Sequence, residues 1–270
     1  MLEGKSIESI SSKIKSHELK SEDVVKFFLD KIKQYNKDLN AIVSLRDETE
    51  IISEAKEKDK SIDNGNEIGL LHGMPLAIKD ITDVKELPTS FGCKEYKNNF
   101  PDEDSIISER LKKEGAIIIG KTNTTELAYG SQTSNRLFGS THNPYDITKT
   151  AGGSSGGAAA AVSSGMLPLA DGTDMMGSVR NPAAYCNLYG FRPTPGLIPE
   201  KRTEVSNIKY PLLSTLGGIA RRPDELSIFL DAVSGRDERD PFSFDLGNTF
   251  VNASMNEKDF NEIKIGWLSN

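Results

Sequence analysis

Histidine is scarce in this 270-residue chain, with only His17, His72 and His142 present, and none of them is framed by glycine. A serine or thiol nucleophile is usually activated by an adjacent imidazole, so the scarcity argues against a histidine-based triad. His17 lies in a charged N-terminal stretch, His72 precedes a Gly-Met-Pro turn and His142 sits in a polar Thr-His-Asn-Pro segment. All three read as structural or surface residues. Cysteine is rarer still: Cys93 and Cys186 lack CxxC spacing, and Cys186, behind Ala183-Ala184-Tyr185, suits a buried structural thiol. No metal or cofactor is expected. No apolar run is long enough to cross a bilayer and no charged–apolar–small leader is visible, so the expected compartment is the cytoplasm, with no membrane partner. Positive charge is also short. Lys and Arg total 33 against 40 Asp and Glu, a net charge of −7 with no basic stripe, which argues against direct nucleic-acid binding. The sequons Asn123-Thr124-Thr125 and Asn252-Ala253-Ser254 are chance matches without a secretory signal.

What remains is an ordinary globular composition, 36% hydrophobic and 27% charged, on a chain long enough for a sizeable core. Ile7, Ile10 and Ile14 share one helix face, and Val25, Phe28, Leu29, Ile32 and Tyr35 repeat the pattern behind a Ser21-Glu22-Asp23 cap. Ala41 to Leu45 reads as a strand and Glu48 to Lys60 as a charged helix ending at Asp63-Asn64-Gly65-Asn66. From Leu76 onward short apolar runs alternate with helical segments. They are Leu76–Ile78, a helix over Ser105–Glu114 stopped by Gly115, Ala116–Ile119, a helix opening at Ala158, Leu167–Ala170, and a helix over Pro223–Val233 capped by Ser234-Gly235. This alternation predicts an α/β fold, a mixed central sheet covered by helices. No linker divides the chain.

Two glycine-framed serines carry the chemistry. Ser154 and Ser155 lie in Gly152-Gly153-Ser154-Ser155-Gly156-Gly157, directly before a strong helix former, and Ser178 follows 24 residues after Ser154 in Gly172-Thr173-Asp174-Met175-Met176-Gly177-Ser178-Val179-Arg180. Glycine on both sides lets backbone N–H groups and a hydroxyl approach a reacting atom. With histidine excluded, the available base is lysine, competent only when burial or neighbouring cations leave it neutral. Lys79, closing the apolar run Met74-Pro75-Leu76-Ala77-Ile78, could be buried that way, although local context alone reads it rather as a lysine snorkelling from a strand end. A competing signal is Gly115-Ala116-Ile117-Ile118-Ile119-Gly120-Lys121-Thr122, which matches the G-x-x-x-x-G-K-[ST] pattern of a phosphate loop. Its inner residues are β-branched and follow a helix, so it reads as a buried strand.

Taken together these blocks resemble the amidase signature family. The match is dense from Leu70 to Pro199, including Leu71–Asp80, Gly115–Asn123, Phe138–Tyr145 and both serine blocks. It continues thinly through Gly217–Arg221 and Asp237–Pro241 to Ile265-Gly266-Trp267. The resemblance implies a Ser–Ser–Lys triad: Ser178 as nucleophile, Ser154 as a bridging serine held by a cis peptide bond, and Lys79 as base. It implies an oxyanion hole from the N–H groups of Met175, Met176, Gly177 and Ser178, with Ser155, Asp174 and Arg180 in support and Thr173 and Gln132 as weaker candidates. The implied reaction is hydrolysis of a small-molecule carboxylic amide to acid and amine through an acyl-enzyme. The alternatives are the amide-handling subunit of a glutamine-dependent tRNA amidotransferase and an inactive remnant. Met175-Met176 stands where the family often has Thr-Gly. Family members also continue well past the Ile-Gly-Trp segment, so the chain is expected to be a single incomplete domain truncated at its C-terminus. Its parts would be an N-terminal helical region over 1–65, a catalytic core over 66–235 and the start of a C-terminal half over 236–270. The expected partners are a homodimer mate or a complementing C-terminal polypeptide.

Overall fold

The computed structural model describes residues 2–201, 213–247, 250–251, 264 and 266. The Asn252–Ser254 sequon and, apart from Gly266, the Ile-Gly-Trp motif lie outside them. Helix α1 (Ile7–Lys15) buries Ile7, Ile10 and Ile14, and its N-cap Ser6 accepts the Ser9 N–H. Helix α2 (Ser21–Leu39) buries Val24, Val25, Phe28, Leu29 and Ile32. Its start differs from the expected cap. Asp59 of α3 (Glu48–Asp63) reaches across to accept the N–H groups of Ser21 and Glu22, at 2.6 and 3.2 Å, so Ser21 becomes the first helical residue and Lys20 the cap. The expected strand over Ala41–Leu45 forms one regular bridge, Ile42 with Thr122, yet it stays bonded to the 119–123 backbone: Ala41 accepts the Asn123 N–H, Val43 donates to the Lys121 carbonyl, Ser44 accepts the Lys121 N–H and Arg46 donates to the Ile119 carbonyl. Val43 and Ser44 both pair with Lys121, which breaks the regular register, while the Asn36 side chain accepts the N–H groups of Ala41 and Ile42 and donates to the Ile42 carbonyl.

Strand β1 (Pro75–Lys79) pairs in parallel with β2 (Ile117–Thr122), each buried along its whole length. Between them α4 (Ile106–Lys113) starts at the cap Ser105 and ends before Gly115, whose φ of +88° and close approach to His72 exclude a side chain. The phosphate-loop pattern is therefore strand, as its β-branched residues indicate. Two small hairpins follow, β3 (Ser134–Asn135) with β4 (Gly139–Ser140) and β5 (His142–Asn143) with β6 (Asp146–Thr150). Helix α5 (Gly156–Ser163) is buried through Val162 and opens at Ser155, as its alanine run predicts. Strand β7 (Leu169–Asp174) leads into α6 (Arg180–Tyr185) and β8 (Tyr189–Phe191); β9 (Thr215–Ala220) lies between β7 and β8, antiparallel to both. Helix α7 (Pro223–Val233) begins with proline at its first turn, where the missing N–H costs nothing.

The architecture is thus mixed α/β, with helices around small sheets. The N-terminal helices share one apolar core with β1, β2 and α7, while a second core surrounds α5. Strands β1 and β7 are neighbours without a ladder between them. Their junction is made by a side chain, the carboxylate of Asp171 accepting the Lys79 N–H at 2.9 Å.

Candidate active site

Lys79 ends β1 with its side chain fully buried. Its Nζ donates to Ser154 Oγ at 2.7 Å and to Thr173 Oγ1 at 2.8 Å. Burial disfavours the ammonium, and although Asp171 and then Asp174 oppose this, the amine is drawn down to about 7. A lysine in that state accepts a serine proton at neutral pH. Thr173, a weak candidate in the sequence, is therefore a direct partner of the amine.

Ser154 follows a cis Gly153–Ser154 peptide bond just ahead of α5. The carbonyl of Ser154 accepts the Thr133 hydroxyl at 3.2 Å, and that hydroxyl also accepts the Gly156 N–H at 2.9 Å. Gly153 packs against the 131–133 backbone so closely that a Cβ would fall 2.9 Å from the Gln132 nitrogen. Gln132 itself is exposed, and among the described residues its side chain makes no hydrogen bond. Ser155 is buried and ties the two serine blocks together through its backbone, its N–H donating to the Ser178 carbonyl at 3.2 Å. Its hydroxyl oxygen has no partner among the described residues.

Ser178 is half-buried on the loop after β7, and that loop is shaped by one carboxylate. Asp174 accepts the N–H groups of Gly177, Val179 and Arg180 at 2.7, 3.2 and 3.3 Å, and two hydrogen bonds of 2.9 Å from the Arg180 guanidinium. Burial raises the Asp174 carboxyl, but Arg180 and the three N–H groups outweigh it and hold it at about 2. The Gly177 N–H, expected in an oxyanion hole, donates to Asp174, whereas those of Met175, Met176 and Ser178 meet no acceptor among the described residues.

Ser154, Thr173 and Ser178 line one cavity of about 520 Å³, whose remaining wall includes Leu127, Tyr129, Met175 and Met176. Lys79 and Ser154 are joined by a hydrogen bond; Ser178 shares the cavity with Ser154 but is not hydrogen-bonded to it. Asp171, Thr133 and Arg192 escaped the sequence reading. Arg192 donates to the Asp174 carbonyl at 3.3 Å and stands 3.6 Å from its carboxylate. Asp171 had a signal, a carboxylate ending an apolar run where a strand should continue. The donor atoms of Cys93, Glu95 and Glu126 also lie within 4.8 Å of one another. None of the three lines the cavity; Cys93 donates to Glu95, and Glu126 pairs with Arg136. Burial pushes the Cys186 thiol up to about 12, as befits a structural cysteine.

Residues 23–270 match the family model described as Amidase, and the chain belongs to the amidase signature family. It is 35% identical over 262 residues to an acylamidase from Rhodococcus erythropolis, covering 97% of this chain and 54% of that protein. It is 39% identical over 235 residues to an A-type subunit of glutamyl-tRNA(Gln) amidotransferase from Clostridium acetobutylicum, covering 87% of this chain and 48% of that protein. Among solved structures, a bacterial aryl acylamidase of the amidase signature family superposes with a TM-score of 0.85 at 32% identity, covering 92% of this chain and 51% of that one. The chain therefore spans about half the length of the relatives it matches.

Proposed function

We propose that this chain carries the acyl-transfer centre of an amidase, cleaving a small carboxylic amide to acid and amine with Lys79 as base, Ser154 as relay and Ser178 as nucleophile. The observation that carries the reading is the 2.7 Å hydrogen bond between a buried, readily neutralised lysine and a serine that shares a cavity with a second serine. Neutral Lys79 takes the Ser154 proton while Ser154 takes that of Ser178, and the Ser178 oxygen attacks the carbonyl carbon. The tetrahedral oxyanion is met by the N–H groups of Met175, Met176 and Ser178, each such donor contributing typically about 3 kcal/mol. Protonated Lys79 returns its proton through Ser154 to the departing amine, and water then releases the acid by the same relay. The Ser154–Ser178 hydrogen bond closes when substrate occupies the cavity, since relay geometry commonly tightens only in the complex.

The test is intact-mass analysis after exposure to a fluorophosphonate. A single adduct, lost in Ser178→Ala, is expected; an adduct that survives in Ser178→Ala, or none at all, overturns the reading. The similarity to amidotransferase A-type subunits supports a second reading, in which the same chemistry draws ammonia from glutamine within a complex. Glutamine would then be the preferred amide, whereas the apolar lining by Leu127, Tyr129, Met175 and Met176 favours an acyl group without charge.

A further inference from the structure

Asp171 sits in the interior of β7, only 1% exposed, and the relay above makes no use of it. Its Oδ1 accepts the Lys79 backbone N–H, fastening β7 to β1. Its Oδ2 is buried and meets no donor among the described residues. Fastening two strands needs one acceptor oxygen, which a neutral amide side chain supplies equally well. A buried carboxylate with an unpartnered oxygen is costly unless a positive charge lies close enough to offset it.

Two such charges face it, Lys121 from β2 and Lys79 from β1. Lys121 has other company: its Nζ donates to the Thr82 carbonyl and the Thr89 hydroxyl, and Asp80, Asp83 and Asp104 act on it besides Asp171. Among the described residues, the carboxylates that act on Lys79 are Asp171 and Asp174, both from β7. Asp174 already holds the Arg180 guanidinium and has Arg192 beside it. Asp171 is the carboxylate near Lys79 with no guanidinium of its own.

We propose that Asp171 is a positioning residue for the base, supplying the buried negative charge against which Lys79 holds the proton it takes from Ser154. This rests on the reading of Lys79 as the base. Burial alone favours a neutral amine, yet an amine pushed too far toward neutrality is a poor proton acceptor. Asp171 keeps Lys79 basic enough to remove the serine proton and close enough to neutrality to be ready for it. The proton moves from Ser154 Oγ to Lys79 Nζ and back, and Asp171 takes no proton in the transfer.

Asp171→Asn separates charge from fastening, because its amide oxygen still accepts the Lys79 N–H. In chain labelled with carbon-13 lysine, the Lys79 Cε signal, identified by its loss in Lys79→Arg, is followed against pH. Its midpoint is expected to fall in Asp171→Asn by about one pH unit or more, the effect of losing an adjacent opposite charge. The reciprocal measurement follows the Asp171 carboxyl carbon, whose midpoint is expected near 6 and should rise in Lys79→Met. An unchanged Lys79 midpoint in folded Asp171→Asn overturns the proposal. So does an Asp171 carboxyl that moves in Lys121→Met but not in Lys79→Met; this pair decides the matter should Asp171→Asn fail to fold. Fluorophosphonate labelling run alongside keeps the two readings apart. No adduct on the unaltered chain defeats the amidase reading while the titrations still decide Asp171, and with an adduct the acid limb of the labelling rate shifts to lower pH in Asp171→Asn.

Discussion

A lysine amine acts as a base only in the fraction of molecules where it is neutral, and burial at the end of β1 draws Lys79 to about 7. The rate of fluorophosphonate labelling at Ser178 should therefore climb about tenfold between pH 6 and 8 and flatten above, following that neutral fraction. A rate independent of pH across this range would remove Lys79 from the role of base. Asp174 titrates in the opposite sense. Its carboxyl is held at about 2, below its ordinary 3.8, so the stability it contributes is complete above about 4 and is lost as pH falls toward 2. Asp174→Asn, which removes the charge that holds Arg180 and leaves one oxygen where two accepted the N–H groups of Gly177, Val179 and Arg180, should flatten that acid limb of thermal stability and abolish labelling. Thermal unfolding between pH 2 and 5 measures it; an acid limb as steep as that of the unaltered chain would refute the assignment. The serines stand out in the sequence by their glycine frames and Lys79 by closing an apolar run, whereas Asp174 and Arg180 are implied only by the family resemblance. Asp171 offered only the weak signal of a carboxylate at the end of an apolar run, and Thr133 none, because the partners of each come from distant parts of the chain.

Helices and strands with strong periodicity were readable because a single face decides them. The faces of α1 and α2, the cap of α4 at Ser105, the alanine run of α5 and the Pro223 start of α7 all follow local rules. Where a distant side chain intervenes, local rules fail. Asp59 takes over the start of α2, and Val43 and Ser44 both pair with Lys121, which breaks the regular ladder expected from Ala41. The glycines ahead of α5 resemble a flexible linker in composition, yet a Cβ on Gly157 would fall 2.3 Å from the Asn123 nitrogen and 2.6 Å from the Ala41 carbonyl oxygen. Both contacts are backbone and cannot swing aside. Gly157→Ala should cost about 1–3 kcal/mol or more, seen as a lower melting temperature. A melting temperature equal to that of the unaltered chain would mean that α5 has room the packing denies it.

Across the whole molecule, large apolar side chains are exposed around the cavity, with Tyr129 at 85% and Met176 at 81%. Such a rim is an association liability for a chain carrying only a modest net negative charge. The double change Tyr129→Ser and Met176→Ser should raise the temperature or concentration at which light scattering begins, while altering folding stability by no more than about 0.5 kcal/mol. Scattering unaffected by the change would show that the rim does not drive association. By itself the sequence determined the class of fold, through the alternation of apolar runs and helices. It also determined which base was possible, since three badly placed histidines left lysine. Only the tertiary structure decided whether that lysine can be neutral, because its protonation depends on complete burial and on the opposing charges of Asp171 and Asp174. It alone gave Asp171 a neighbour 92 residues away, and it alone assigned the Gly177 N–H to Asp174 rather than to an oxyanion hole. Burial and electrostatics are sums over everything nearby, and what is nearby is set by the packing of the whole chain.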